Sequence, residues 1–185
     1  DSYGMPVAED DAGDTAVSGD ETCTRTWYAR NTGAGLTSLV SRTRKVAKPC
    51  GTADSALSLP AGSSTAGDVL SDTGTVYDSP SATTWTSAQT PTKGDGSWTG
   101  RAAAYPATAD SGGERKPTAW QTTGTQTFDA LGRTLVSTDA AGNPDSTAYT
   151  PAGAGPLTRT VETNAEGQTE VTFYERLRGQ RTQIY

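Results

Sequence analysis

Along most of this chain apolar and β-branched residues alternate with polar ones, the repeat that places successive side chains on opposite faces of a strand. Thr22–Ala29, Leu36–Val46 and Val69–Tyr77 read as strands; in the first, Arg25, Trp27 and Ala29 take one face and Thr24, Thr26 and Tyr28 the other. Pro49-Cys50-Gly51 and Leu59-Pro60-Ala61-Gly62 punctuate these runs as turns. From Ser79 to Pro117 the pattern loosens into stretches such as SPSATTW, TPTKGDGSW and ATADSGGERKP, with short strands expected near Trp85 and over Trp98–Tyr105. From Thr118 order returns. Thr118–Phe128, Thr134–Thr138, Ser146–Thr150, Leu157–Thr163, Thr169–Tyr174 and Arg181–Tyr185 are strand-like, separated by DALGR, DAAGNPD, TPAGAGP, NAEGQ and ERLRGQ. Their glycines, Gly132, Gly142, Gly153, Gly167 and Gly179, recur every 10 to 14 residues and can take the positive φ that tight hairpins need. The pattern predicts an all-β fold: an antiparallel β-hairpin array with long loops and little or no helix. It divides into an N-terminal β region (1–78), a loop-rich exposed connection (79–117) and a hairpin-repeat region (118–185).

Composition thins the expected core. Only 32% of the 185 residues are hydrophobic, while there are 33 Thr and 21 Gly. The net charge of -6 argues against nucleic acid, which needs clustered Lys and Arg to displace counterions. Glu9, Asp10, Asp11, Asp14, Asp20 and Glu21 read as a solvated loop, and Asp10–Gly19 as a segment not to be forced into structure. A calcium loop is the alternative, but the carboxylate alternation of an EF-hand is missing. Cys23 and Cys50 flank a strand-like run. Paired, they imply an oxidising compartment; the alternative is two unpaired buried thiols. Two Cys without any His cannot furnish a tetrahedral zinc site. No apolar run approaches the roughly 20 residues of a membrane-spanning helix, and no signal peptide is present, so an exported chain of this kind is expected to be an internal or mature piece.

Phe128-Asp129-Ala130-Leu131-Gly132-Arg133, followed by Thr138-Asp139-Ala140-Ala141-Gly142-Asn143 and Ala148-Tyr149-Thr150, resembles the YD repeat of Rhs-type proteins: an aromatic, Asp, two residues, Gly-Arg, then a D-x-x-G-N/R hairpin before the next aromatic. Later units are similar around Tyr149–Gly153 with Asn164–Thr169, and around Phe173-Tyr174-Glu175 with Arg178-Gly179-Gln180; in both, Asp is absent from the motif position, so its bracing role is not carried over to them. Asp1–Val7 looks like the tail of another unit, and Cys23–Asn31 and Gly67–Thr73 are similar to segments between such repeats. The resemblance implies a β-sheet spiralling into a shell that encloses a toxin or forms an adhesive surface. In it Asp129 accepts backbone N–H groups of the turn, Gly132 permits the bend, and Arg133 pairs across to an acidic group of the next repeat.

Without His the chain cannot build Ser-His-Asp or Cys-His catalysis, and Gly33-Ala34-Gly35 and Gly153-Ala154-Gly155 lack the spacing of a phosphate-binding loop. The expectation is a non-catalytic structural module, secreted or at the cell surface, with no cofactor, no catalytic residue and no metal ligand. Its partners are flanking YD repeats or further copies meeting at strand edges, with no nucleic acid and no membrane insertion. The alternative is a carbohydrate- or cell-surface-binding module whose exposed aromatics, Trp85, Trp98, Trp120 and Tyr105, form a stacking platform for a glycan.

Overall fold

The computed structural model describes residues 1–14, 16–60 and 67–185; of the expected turn at 59–62, Ala61 and Gly62 lie outside them. Eleven strands follow one another in one antiparallel sheet whose order is the order of the chain: β1 Ala8–Asp11, β2 Thr22–Asn31, β3 Leu36–Val46, β4 Val69–Tyr77, β5 Gly96–Ala104, β6 Ala119–Phe128, β7 Thr134–Asp139, β8 Pro144–Thr150, β9 Arg159–Thr163, β10 Thr169–Tyr174 and β11 Arg181–Ile184. Among the described residues helix is confined to two short 3-10 turns, Thr32–Ala34 and Asp54–Ala56. The all-β, hairpin-linked expectation is what the chain adopts.

Two expectations change. The acidic segment begins with a strand: Ala8–Asp11 pairs with Arg25–Thr22 of β2. All four of its residues stay exposed, so the carboxylates remain in water while the backbone between them pairs, as charged edge strands do. No strand forms at Trp85, which follows a bend at Thr84 in irregular backbone. The stretch from 79 to 117 is loop-rich, yet it is not simply an exposed connection, because Trp85, Pro91, Trp98, Tyr105 and Arg115 are all buried. A chain this poor in aliphatic side chains draws its loop aromatics inward, since they carry much of the apolar area it can hide.

The chain forms two compact units, Asp1–Thr123 and Gly124–Tyr185. In the first, one core cluster gathers Cys23, Val46, Leu57, Leu59 and Tyr105, and a second gathers Val76, Trp85 and Trp98 with Trp120 packed against them. Cys23 and Cys50 are joined by a disulfide across 27 residues. Closing that loop stabilises the fold by about 3.5 kcal/mol in the chain-entropy account. In the second unit only Thr160 and Thr172 are buried, so ladder bonds and turn geometry, rather than an apolar interior, hold its ribbons.

Gly74 and Gly100 face each other across β4 and β5, and the tryptophans lie against the bare backbone they leave. A Cβ on Gly100 would stand 2.2 Å from the Trp98 ring, and one on Gly74 would stand 2.8 Å from Trp85 and 3.0 Å from Trp120. Trp85 and Trp120 meet with ring centroids 5.6 Å apart, and Trp98 meets Trp120 edge-on at 6.0 Å. Gly100→Ala should therefore destabilise the first unit by about 1–3 kcal/mol through overpacking, read from urea melts followed by tryptophan fluorescence. An unchanged midpoint would show that the rings are not seated on that glycine.

Candidate functional site

One turn is built five times. Asp1-Ser2-Tyr3-Gly4-Met5, Asp110-Ser111-Gly112-Gly113-Glu114, Asp129-Ala130-Leu131-Gly132-Arg133, Asp139-Ala140-Ala141-Gly142-Asn143 and Asn164-Ala165-Glu166-Gly167-Gln168 share the same bonds. The first residue's nitrogen donates to the fifth residue's carbonyl, and the glycine N–H donates back to the first carbonyl. The glycines have φ between +74° and +89°, the left-handed conformation that other residues adopt only with strain. In every copy the first side chain accepts the fifth residue's N–H at Oδ1, at 2.8 to 3.1 Å. An Asx side chain is short enough to fold over its own turn in this way, which is why Asp and Asn occupy the position. Asn164 thus braces its turn as the aspartates do, correcting the expectation that the role lapses without Asp. The Asp110 copy lies in a stretch that reads as loose; its D-x-x-G spacing was the available signal.

The second carboxylate oxygen is also occupied wherever Asp is used. Arg30 pairs with Asp1, Lys116 Nζ lies 2.7 Å from Asp110, Arg133 Nε lies 2.6 Å from Asp129, and Asn143 Nδ2 lies 2.9 Å from Asp139. At Asp129 burial pushes the carboxyl pKa up, but the backbone N–H and guanidinium of Arg133 outweigh it and hold the group below its ordinary value. At Asp139 the Asn143 side chain leads the same downward shift, and at Asp110 Lys116 does. Arg133 continues to the carbonyls of Pro151, at 3.3 Å, and Ala152, at 2.6 Å, and lies 4.4 Å over the Tyr149 ring, whose hydroxyl donates to the Thr134 carbonyl. It therefore latches onto backbone oxygens and an aromatic face rather than the expected acidic group. Phe128, just before Asp129, is half-buried. Gly179, with φ +66°, closes a variant turn whose N–H groups at Leu177 and Arg178 bond the Glu175 carboxylate. In TPAGAGP the positive φ falls at Gly155 instead of Gly153.

The first unit holds a polar interior that sequence reasoning missed. On β3, Arg42, Arg44 and Val46 alternate inward and all are buried. Arg42 grips Asp72 bidentately, Nε at 2.8 Å and Nη2 at 2.7 Å, and reaches Glu114 at 2.5 Å, while Tyr105 donates its hydroxyl to Asp72. Arg44 grips Asp54 at 3.0 and 2.6 Å, and Asp54 also accepts the Arg115 N–H at 2.9 Å. Burial, then the neighbouring Asp72 charge, pushes the Tyr105 phenol far above its ordinary range. Burial raises the Asp54 carboxyl, but the Arg44 guanidinium and the Arg115 N–H more than reverse it. The signal available was an Arg-x-Arg-x-Val stripe on one strand face; the acidic partners are too distant in sequence to be seen.

Trp85, Trp98 and Tyr105 are 8%, 1% and 3% exposed, and Trp120 is half-buried against the first two. Three of the four expected platform rings are therefore core rings, and their polar tips are used internally: Trp85 Nε1 on the Ser41 carbonyl, Trp98 Nε1 on Thr122, and Tyr105 on Asp72. Trp27 and Tyr28 are the β2 rings that stay half-exposed. Asp78, with φ +56°, accepts N–H groups from Thr92, Lys93, Gly94 and Asp95 and so ties the 92–95 loop to the end of β4. Among the described residues no three His, Cys, Asp or Glu side chains converge as a metal site, and no helix is long and apolar enough to cross a membrane.

No family model matches this chain, and no curated protein matches it in sequence. Fold and turns define a disulfide-bonded, all-β antiparallel ribbon protein, and the disulfide fits an oxidising, extracytoplasmic setting.

Gly142→Ala, at φ +89° with open space around its Cα, should cost about 1 kcal/mol, whereas Gly153→Ala, in equally open space without a positive φ, should be neutral in thermal melts. Equal effects would remove the left-handed requirement from the repeated turn. Asp78 gives a pH prediction. Burial raises its carboxyl pKa, but four backbone N–H groups bring it below the ordinary 3.8. A folded-state pKa below the unfolded one means that its stabilisation is present above that range and is lost as pH falls through the folded value. The gap in melting temperature between wild type and Asp78→Asn should therefore be full at neutral pH and close only as the pH falls below the ordinary carboxylate range; a gap constant from neutral to acid pH would exclude the carboxylate as the anchor.

Proposed function

We propose that this chain is a non-catalytic structural module, a stretch of β-ribbon wall of the YD-repeat (Rhs) kind, secreted or displayed at the cell surface, where such a wall encloses or presents a toxin or adhesive domain. The observation that carries the reading is the braced turn, D-x-x-G in four copies and N-x-x-G in a fifth among the described residues, with the same bonds each time and, at Asp129, latched by Arg133 to the carbonyls of 151 and 152. A repeated local device that only closes ribbons, on strands paired strictly in chain order, is the economy of an extendable sheet. The disulfide supports an extracytoplasmic wall.

Such a wall works by edge pairing, so its outer strands should accept further ribbons. Just beyond β11, Tyr185 exchanges both backbone bonds with Val171 of β10, which turns the N–H of neighbouring Ile184 to the outer edge. The 185-residue chain should associate with rising concentration in light scattering. Ile184→Pro, which removes that outward N–H and spares the bonds to β10, should shift it toward monomer. A strictly monomeric wild type, or association indifferent to Ile184→Pro, counts against the wall.

A further inference from the structure

We infer that the cleft beside Trp27 is a binding site for a sugar ring carrying a carboxylate. This goes beyond the wall reading and stands or falls separately from it. The cleft arises because β1 leaves β2 early. Their register ends at Ala8 opposite Arg25, the Thr26 N–H makes one more bond to the Val7 carbonyl, and the chain then departs to the Asp1 turn pinned on Arg30. A bulge between Trp27 and Tyr28 re-aims β2 at that point. A cavity of about 390 Å³ results, lined by Arg25, Trp27 and Tyr28 on one side and Trp85 and Ser87 on another. That volume falls within the usual range for small-ligand sites.

Its parts are pre-set. The Arg42 guanidinium lies 4.3 Å from the Trp27 ring centroid, and the Trp27 carbonyl accepts the Ser41 hydroxyl at 3.2 Å. Trp85 closes the floor through its bond to the Ser41 carbonyl at 2.8 Å. A half-exposed indole held this rigidly loses little freedom when a ring's C–H face stacks on it. Arg25 supplies the charge. Its Nη2 donates to the Cys50 carbonyl at 2.8 Å; it makes no salt bridge, in contrast to Arg30, Arg42, Arg44 and Arg133, although its charge is felt at the buried Asp54 carboxyl. The planar guanidinium suits a carboxylate. A single arginine without a salt-bridged carboxylate in the cleft, in a protein of net charge -6, suits a single acidic group on an otherwise neutral ring, and is too little for a polyphosphate backbone.

The test is calorimetric titration, with tryptophan fluorescence alongside, of the intact chain against a tetrasaccharide of alternating glucuronate and N-acetylglucosamine, with neutral chitotetraose as control. The acidic sugar should bind saturably, with the neutral one and the Arg25→Gln variant each about tenfold weaker. Trp27→Ala should abolish binding. Because Trp27 and Arg25 also make internal contacts, Ser87→Glu at the exposed rim is the decisive variant: it leaves the fold untouched, crowds the mouth and repels the carboxylate, and should weaken binding about tenfold. Absence of saturable binding, equal affinity for the neutral sugar, or binding indifferent to Ser87→Glu would each overturn the proposal. Ile184→Pro, which probes the wall, should leave sugar binding unchanged.

Discussion

Two arginines on the inward face of β3 set the terms for the first unit. Arg42 and Arg44 are each about 1% exposed, and a buried guanidinium without a counter-charge costs several kcal/mol. Neutralising them brings Asp72 from β4, Asp54 from the 3-10 turn, and Glu114 from the loop before β6 to one interior. Arg115 then donates to the carbonyls of Leu57 and Pro106, so the same loop clamps the 54–57 segment. The loops are therefore positioned by charge and then closed over by tryptophan, an order of construction suited to a chain with few aliphatic residues.

The second unit solves the same shortage differently. With two buried threonines and no apolar cluster, it relies on strand ladders and on turn bonds that begin and end within five residues, repeated from hairpin to hairpin. Such turn bonds depend little on what the rest of the chain does, because both partners lie on the same turn. The first unit uses this device as well, at Asp1 and Asp110, but there the arginine interior adds bonds that span 30 and 72 residues. One chain thus carries local stabilisation throughout, with side-chain bonds across 15 to 19 residues in the second unit and the 30- and 72-residue spans in the first.

This difference decides what could be read from sequence. The bounds of β3, β4 and β10 follow from alternation, and the turns at Gly132, Gly142, Gly167 and Gly179 follow from glycine spacing, because period and turn chemistry are properties of neighbouring residues. Burial of Arg42 against Asp72 is not such a property: alternation places Arg42, Arg44 and Val46 on one face without saying that the face is the inner one. Burial of Trp85 and Trp98 was hidden for the same reason, since a ring in a Ser/Thr-rich stretch looks exposed until Gly74 and Gly100 are seen to leave room for it. Cys23 and Cys50 were legible as a pair only because the chain has no third thiol to compete.

The two outer strands are guarded unequally. β1 presents Ala8, Glu9, Asp10 and Asp11, three carboxylates on an exposed edge, and Asp10 also accepts the Cys50 N–H at 2.9 Å. Charge and an anchoring bond together make β1 a poor template for another strand. β11 has Arg181 as its only charge, with exposed Ile184, and Tyr185 just beyond it packs edge-on against Phe173 at 6.1 Å. It has nothing comparable to repel an incoming ribbon. The acidic β1 edge is thus closed to a further strand by its own side chains, whereas on β11 a single arginine stands among neutral residues, so the two edges differ through side chains that have no part in either core cluster.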